Sequence, residues 1–236
     1  MLEVRDIHSY YGGSHILHGV SLDLKENELV CLLGRNGVGK STTLKSIMGV
    51  VQPKQGSIRF DGGEVVGKAP YQIARLGIGY VPEERRIFRS LTVHENLLMG
   101  IKGGNGKSAV ENARSVERVY DLFPSLGKRR NNKGGHLSGG EQQMLTVSRT
   151  LMGDPRIILV DEPTEGLAPL IVKDVLDMLA TIRKSGICVL IVEQKFKVVV
   201  NLADRFYIMS KGQIVFSGDR EALLAADDVR RKYLEV

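Results

Sequence analysis

Gly34-Arg35-Asn36-Gly37-Val38-Gly39-Lys40-Ser41 lies between the apolar run Leu29-Val30-Cys31-Leu32-Leu33 and the stretch Thr42-Thr43-Leu44-Lys45-Ser46-Ile47-Met48. The octet has the spacing G-x-x-x-x-G-K-[ST] of a phosphate-binding loop, and its flanks supply the strand and the helix that the pattern requires. Its glycines let the backbone wrap closely around a polyphosphate, so that successive N–H groups point inward. A helix opening at this point adds partial positive charge at its N-terminus. Lys40 is placed to reach the β- and γ-phosphates as a point charge, and the Ser41 hydroxyl to ligate Mg²⁺. Gly34, Arg35, Asn36, Gly37, Val38, Gly39, Lys40, Ser41 and Thr42 are the candidate nucleotide-binding residues.

With 236 residues and 42% hydrophobic composition, the chain can bury one sizeable core. No apolar run approaches the roughly 18–20 residues of a membrane span, and the first residues, Met1-Leu2-Glu3-Val4-Arg5-Asp6, lack a signal-peptide apolar region. The expected location is the cytosol or the cytosolic face of a membrane. Cys31 and Cys188 sit inside apolar runs and read as buried free thiols. No His/Cys cluster has metal-ligand spacing. The net charge is +6, and basic residues cluster at Arg85-Arg86-Arg89, Lys128-Arg129-Arg130 and Arg230-Arg231-Lys232. Phe88 is the one aromatic residue within them, fewer than a base-stacking surface needs, so solvated faces are expected and no nucleic-acid partner.

The pattern along the chain is that of an α/β protein. Residues 2–7 and 20–24 alternate like half-buried antiparallel strands, joined through a turn that contains Ser9-Tyr10-Tyr11-Gly12-Gly13. One of the two tyrosines is a candidate to stack on a nucleobase. Strands are expected at 57–60 and 78–81, a turn at Pro53-Lys54-Gln55-Gly56 and a short helix at 70–75. Residues 84–155 are polar and mostly helical in pattern. Helices begin at Thr92 and span 109–123, and Gly103-Gly104-Asn105-Gly106-Lys107 lies between them. Leu137-Ser138-Gly139-Gly140-Glu141 opens a helix through Met152, with Ser138 as N-cap, and so makes a second candidate anion site.

Ile157-Ile158-Leu159-Val160 is too apolar for a strand exposed on either face, as in a covered parallel sheet. It ends in Asp161-Glu162, at the edge where α/β sheets bind ligands. Together with the phosphate loop this implies a nucleoside triphosphatase: Asp161 holds Mg²⁺ through its water shell and Glu162 polarises the attacking water. No Asn-Lys-x-Asp guanine-reading motif is present, which favours ATP. A helix over 167–185, a strand over 187–192, a hairpin around Lys211-Gly212 and a charged helical tail complete the reading.

Leu137-Ser138-Gly139-Gly140-Glu141-Gln142-Gln143, followed about twenty residues on by the apolar run into Asp161-Glu162, resembles the ATP-binding subunit of an ABC transporter. The resemblance covers nearly the whole chain. It implies a P-loop core with a mainly parallel sheet over 1–82 and 156–218, an N-terminal antiparallel β subdomain, an inserted helical subdomain over 83–155 and a helical tail over 219–236. It also implies that ATP lies between one subunit's phosphate loop and the Ser138, Gly139, Gly140 and Glu141 stretch of a second such subunit, either itself or a relative. Tyr11 stands where the family stacks an aromatic on adenine.

Three positions depart from the general family pattern. Glu83 replaces a Gln that touches Mg²⁺ and the permease interface, Gln194 replaces a His that contacts the γ-phosphate, and Ala168 replaces an Asp. Glu83 keeps an oxygen for Mg²⁺. Gln194 can hydrogen-bond a phosphate but carries no charge, which implies slower hydrolysis. The segments Tyr80-Val81-Pro82-Glu83, Arg85-Arg86-Ile87-Phe88, Gly166-Leu167-Ala168-Pro169 and Val192-Glu193-Gln194 narrow the resemblance to the second ATP-binding subunit of branched-chain amino acid importers. Importers of urea or short amides are near relatives. The implied partners are two transmembrane permeases, a related ATPase and an external substrate-binding protein. Soluble ABC ATPases that act on ribosomes or DNA usually carry two ATPase halves or a long coiled-coil insertion, which this sequence lacks.

Overall fold

The computed structural model describes residues 1–101 and 108–234. Three central strands, β3 (Leu29–Leu33), β7 (Ile157–Asp161) and β8 (Cys188–Glu193), are buried at every position. A strand buried on both faces must be covered on both, and the side chains of these three alternate between two cores. Leu29, Cys31, Leu33, Ile158, Val160, Val189 and Ile191 enter one. Val30, Leu32, Ile157, Leu159, Cys188, Leu190 and Val192 enter the other. With β6 (Ile78–Val81), β9 (Arg205–Ser210) and β10 (Gln213–Asp219), they form a six-stranded sheet in the order β10-β9-β3-β8-β7-β6. All its pairings are parallel except β9 with β10.

The second core is closed by β1 (Leu2–Tyr11), β2 (Ser14–Leu24), α1 (Lys40–Ile47), β4 (Gln55–Phe60) and α2 (Pro70–Arg75), through residues such as Val4, Leu17, Leu44, Ile58 and Ile73. β1, β2 and β4 join β5 (Gly63–Glu64) in an antiparallel sheet of order β2-β1-β4-β5. The first core is closed by α3 (Val93–Leu98), α4 (Ala109–Leu122), α5 (Pro124–Lys128), α6 (Gly139–Leu151) and α7 (Pro169–Lys184). A short α8 (Phe196–Val199) leads into the β9–β10 hairpin, which α9 (Arg220–Ala225) and α10 (Asp227–Tyr233) follow. Each fully buried Leu, Ile or Val of these layers stabilises the fold by about 2 kcal/mol.

Several expected boundaries move, each for a local reason. The turn expected over residues 9–13 is confined to Gly12-Gly13, because Tyr10 pairs with His15 and Tyr11 with Ser14 in the ladder. Gln55 and Gly56 already belong to β4. At Gly56 (φ +88°) an added Cβ would collide with the Asp6 carbonyl oxygen, so strand and turn meet only through glycine. The helix expected from Leu167 begins at Pro169, since the residue before a proline is pushed out of the helical region and Gly166 sits at φ +65°. Pro124 does more than follow a helix end: it opens α5. The Gly103–Lys107 stretch lies outside the described residues.

One basic residue is less solvated than expected: Arg230 is 17% exposed and pairs with Asp227. Lys128, Arg129 and Arg130 are exposed, with Arg129 paired to Glu141.

Candidate nucleotide site

β3 delivers the chain to Gly34 and α1 takes it away from Lys40, so the octet forms the link between a buried strand end and a helix start. Gly37 (φ +78°) and Gly39 (φ +114°) adopt left-handed backbone that a Cβ would strain. At Gly34 a Cβ would lie 2.6 Å from the Met209 carbonyl oxygen, and at Gly39 2.8 Å from Leu17. The glycines are therefore required by the fold as well as by a ligand.

Lys40 is only 3% exposed. Its Nζ donates to the carbonyls of Gly34 (2.9 Å) and Arg35 (3.0 Å) and pairs with Glu162 Oε1 at 2.9 Å. The ammonium thus sits under its own loop, held by two carbonyls and one carboxylate. Glu162 leaves β7 at φ +42° and its N–H donates to the Val192 carbonyl at 3.1 Å. That left-handed turn, uncommon outside glycine, accompanies the Glu162 ion pair with Lys40. The strand expected to include Glu162 therefore stops one residue earlier.

Asp161, 2% exposed, uses both carboxylate oxygens. Ser41 Oγ donates to Oδ1 at 2.8 Å and the Tyr80 hydroxyl donates to Oδ2 at 3.0 Å. Burial pushes the Asp161 carboxyl above its ordinary range, with the neighbouring Glu162 acting in the same direction. Tyr80 is likewise shifted upward by burial and by Asp161. A hydrogen bond with Glu162, then burial, then the charges of Glu162, Glu83 and Glu193 push Glu165 up to about 7. Ser41 Oγ and Asp161 Oδ1 are hard oxygen donors at one point, which fits Mg²⁺. Among the described residues no group of three or more His, Cys, Asp or Glu side chains could hold a metal ion, so a cation here would take most of its ligands from phosphate oxygens and water.

Tyr11, 47% exposed, lines a cavity of about 220 Å³ with Ile16, Gly37, Gly39, Lys40, Ser41, Thr42 and Glu162. Tyr10 instead stacks on His15 at 4.1 Å, with Lys54 over its ring. Of the two tyrosines the sequence leaves open, Tyr11 is the one at the phosphate loop. Glu83 lies in an exposed bend beyond β6. Arg35, Asn36 and Val38 face a neighbouring groove with Lys211 and Lys232.

Glu193, 3% exposed, is a residue that pattern reading misses. It accepts from Thr164 Oγ1 (2.7 Å) and Thr164 N (3.2 Å), and its other oxygen accepts from Gln194 N (3.2 Å). It thereby ties the loop after Glu162 to the strand end that carries Gln194.

Ser138, Gly139, Gly140 and Glu141 do not line the cavity at the phosphate loop; Ser138 and Glu141 line a separate groove with Ile171 and Asp174. Ser138 caps α6 by accepting from Glu141 N at 3.3 Å, and Glu141 Oε2 accepts from Ser138 N at 2.8 Å. Both glycines serve close approach: a Cβ at Gly140 would overlap Ile171, and one at Gly139 would lie 2.6 Å from Arg85 Nη1.

A phosphate loop, a buried lysine beneath it and two carboxylates at the end of another strand of the same sheet define a P-loop nucleoside triphosphatase. The family model described as ABC transporter matches residues 17–165. The chain belongs to the ABC transporter family. It is 42% identical over 234 residues to the high-affinity branched-chain amino acid transport ATP-binding protein BraG of Pseudomonas aeruginosa, covering 99% of each chain. It is 33% identical over 233 residues to the lipopolysaccharide export system ATP-binding protein LptB of Escherichia coli (strain K12), covering 99% of this chain and 96% of that one. A nucleotide-free ATP-binding cassette from an ABC transporter superposes with a TM-score of 0.87 at 27% identity, covering 97% and 96% of the two chains.

Proposed function

We propose that this chain is the ATP-hydrolysing subunit of an importer for branched-chain amino acids. The observation that carries the catalytic part is the joining of Lys40 and Ser41, beyond the end of β3, with Asp161 and Glu162, at the end of β7 two strands away. The likeness to BraG over the whole chain supports the substrate class.

In this reading ATP phosphates enter the loop and take Lys40 from Glu162, so the same lysine that neutralises the resting carboxylate neutralises the ligand. Glu162, freed from its partner, faces the water that attacks the γ-phosphate and accepts its proton. Ser41, Asp161 and Glu83 supply oxygens to Mg²⁺, which when bound neutralises charge on the phosphates. Tyr11 stacks on the adenine, and Gln194 contacts the γ-phosphate as a neutral donor. Replacing Gln194 with His is expected to raise single-site hydrolysis several-fold, roughly 1 kcal/mol in barrier; an unchanged rate in a single-turnover phosphate assay would remove Gln194 from the slow step.

The phosphate-loop cavity takes no lining from Ser138, Gly139, Gly140 or Glu141 of its own chain. A second ATPase subunit that offers its own α6 start across the nucleotide completes the site in this reading. Residues 83–155 then act as the helical subdomain that passes closure to two permeases, through the segment from Glu83 to Leu91. Among the described residues no helix is long and apolar enough to cross a membrane, and this reading places the chain peripherally on the cytosolic face.

The test is purification of the tagged chain from its native membranes in mild detergent, with identification of what accompanies it and uptake of radiolabelled leucine and urea. Two permeases, a second ATPase and leucine uptake are expected. Urea uptake would move the substrate to short amides, the alternative that the Thr164-Glu165-Gly166 segment also suits. Ribosomes, DNA or no partner would sink the transport reading.

A further inference from the structure

One part-buried contact reaches Asp161 from outside the phosphate loop. Tyr80 is a strand residue from the edge of the six-stranded sheet, 81 positions before the carboxylate it touches. β6 runs parallel to β7 with Tyr80 opposite Leu159. Side chains two apart on a strand share a face, so Asp161 lies on the same face as Leu159, one diagonal step from Tyr80. The phenol spans that step and donates to Asp161 Oδ2 at 3.0 Å.

The Tyr80 backbone is held in place by its surroundings. A Cβ at Gly79 would lie 2.6 Å from Thr150 Cγ2 and 3.3 Å from Ile158, so α6 and β7 pack directly against this strand. The Tyr80 ring packs against the core formed by Leu32, Leu159 and Val192 among others. Its hydroxyl is therefore a fixed donor, while Ser41, the other donor to Asp161, is the hydroxyl that a cation would recruit. Once Ser41 turns to a cation, Tyr80 is the donor left to orient the Asp161 carboxylate.

We propose that Tyr80 is a positioning residue that sets the orientation of Asp161 and thereby the affinity of the site for a divalent cation. The proposal rests on the reading of Asp161 as the cation-side carboxylate. Hydrogen-bonded partners behind a metal ligand fix its geometry, and their loss typically costs 10- to 100-fold in metal affinity.

The test uses Mn²⁺ as the probe. Free Mn²⁺ is titrated by electron paramagnetic resonance against the full chain saturated with a non-hydrolysable ATP analogue, for the native chain, Tyr80→Phe and Asp161→Asn. Phenylalanine keeps the ring and removes only the hydroxyl. Tyr80→Phe is expected to raise the Mn²⁺ Kd roughly tenfold while nucleotide affinity in EDTA stays within about twofold of the native value. Asp161→Asn is expected to lose more. If Asp161→Asn weakens Mn²⁺ binding and Tyr80→Phe does not, the role of Tyr80 is overturned and the reading of Asp161 stands. If Asp161→Asn leaves Mn²⁺ binding intact, both fall. Equal losses of nucleotide affinity with and without metal in Tyr80→Phe would mark a packing defect and also overturn the proposal.

Discussion

Glu162→Gln is expected to bind ATP and to hydrolyse almost none of it. The substitution preserves shape at a site that is 8% exposed and held at φ +42°. It removes the charge that would accept a proton from the attacking water. General-base catalysis is worth about 10²- to 10⁴-fold, or roughly 3–5 kcal/mol of barrier. Binding should persist for a physical reason visible in the resting chain. Lys40 keeps two of its three partners, the Gly34 and Arg35 carbonyls, and so keeps its place under the loop. The lysine would even be easier to recruit, because no carboxylate competes with the phosphates for it. The measurements are equilibrium binding of a fluorescent ATP analogue and single-turnover phosphate release. Retention of more than about a tenth of the native rate would take the catalytic role away from Glu162.

Much of the fold was legible because it rests on strong local signals. β3, β6, β7 and β8 are apolar runs of strand length, and α2 sits at Pro70–Arg75 as the proline at its first position predicts. What a continuous apolar run does not disclose is which neighbour covers which face. The alternation of Leu32 and Leu33 into separate cores is set by partners far away in sequence. Tyr10 and Tyr11 were unreadable as strand because Gly12-Gly13 made the whole segment look like a turn; cross-strand pairing with His15 and Ser14 carries the ladder to the hairpin tip. α5 and α8, five and four residues long, are too short to show a helical period.

The candidate site divides in the same way. The loop octet and the Asp161-Glu162 pair are contiguous motifs, and the structure brings Lys40 to Glu162 and Ser41 to Asp161. Tyr80 on Asp161 and Thr164 on Glu193 are contacts between residues 81 and 29 positions apart with no motif of their own. A buried acid at a strand end, Glu193, was the available signal: an ionisable side chain closing an otherwise apolar run has to find donors. By sequence, Leu137–Glu141 is a helix start that makes a candidate anion site. In the folded chain Gly140 makes room for Ile171 and Gly139 for Arg85, so a motif can be required by packing within one chain and still present its N-cap to a second.

Lys40→Ala should fail at an earlier step than Glu162→Gln, and by a different measure. The ammonium is the one side-chain cation seen inside the ring of Gly34, Arg35 and Glu162 among the described contacts. A charge-assisted contact to phosphate of roughly 1.5–3 kcal/mol corresponds to a loss of about 10- to 150-fold in ATP affinity. The variant also leaves Glu162 buried beside Asp161 without its cation. Breaking a buried pair by removing one partner costs about 3–5 kcal/mol, so Lys40→Ala should melt well below the native chain in the absence of nucleotide. The pairing of effects distinguishes the mechanism from simple loss of packing. In Lys40→Ala with Glu162→Gln, no uncompensated carboxylate remains at position 162, and most of the lost stability should return while ATP affinity stays low. Thermal melts and nucleotide titrations of the two single variants and the double variant close the cycle. Additive losses of stability would show that Lys40 and Glu162 do not neutralise each other in the resting chain, and would remove the step in which ATP takes the lysine from the glutamate.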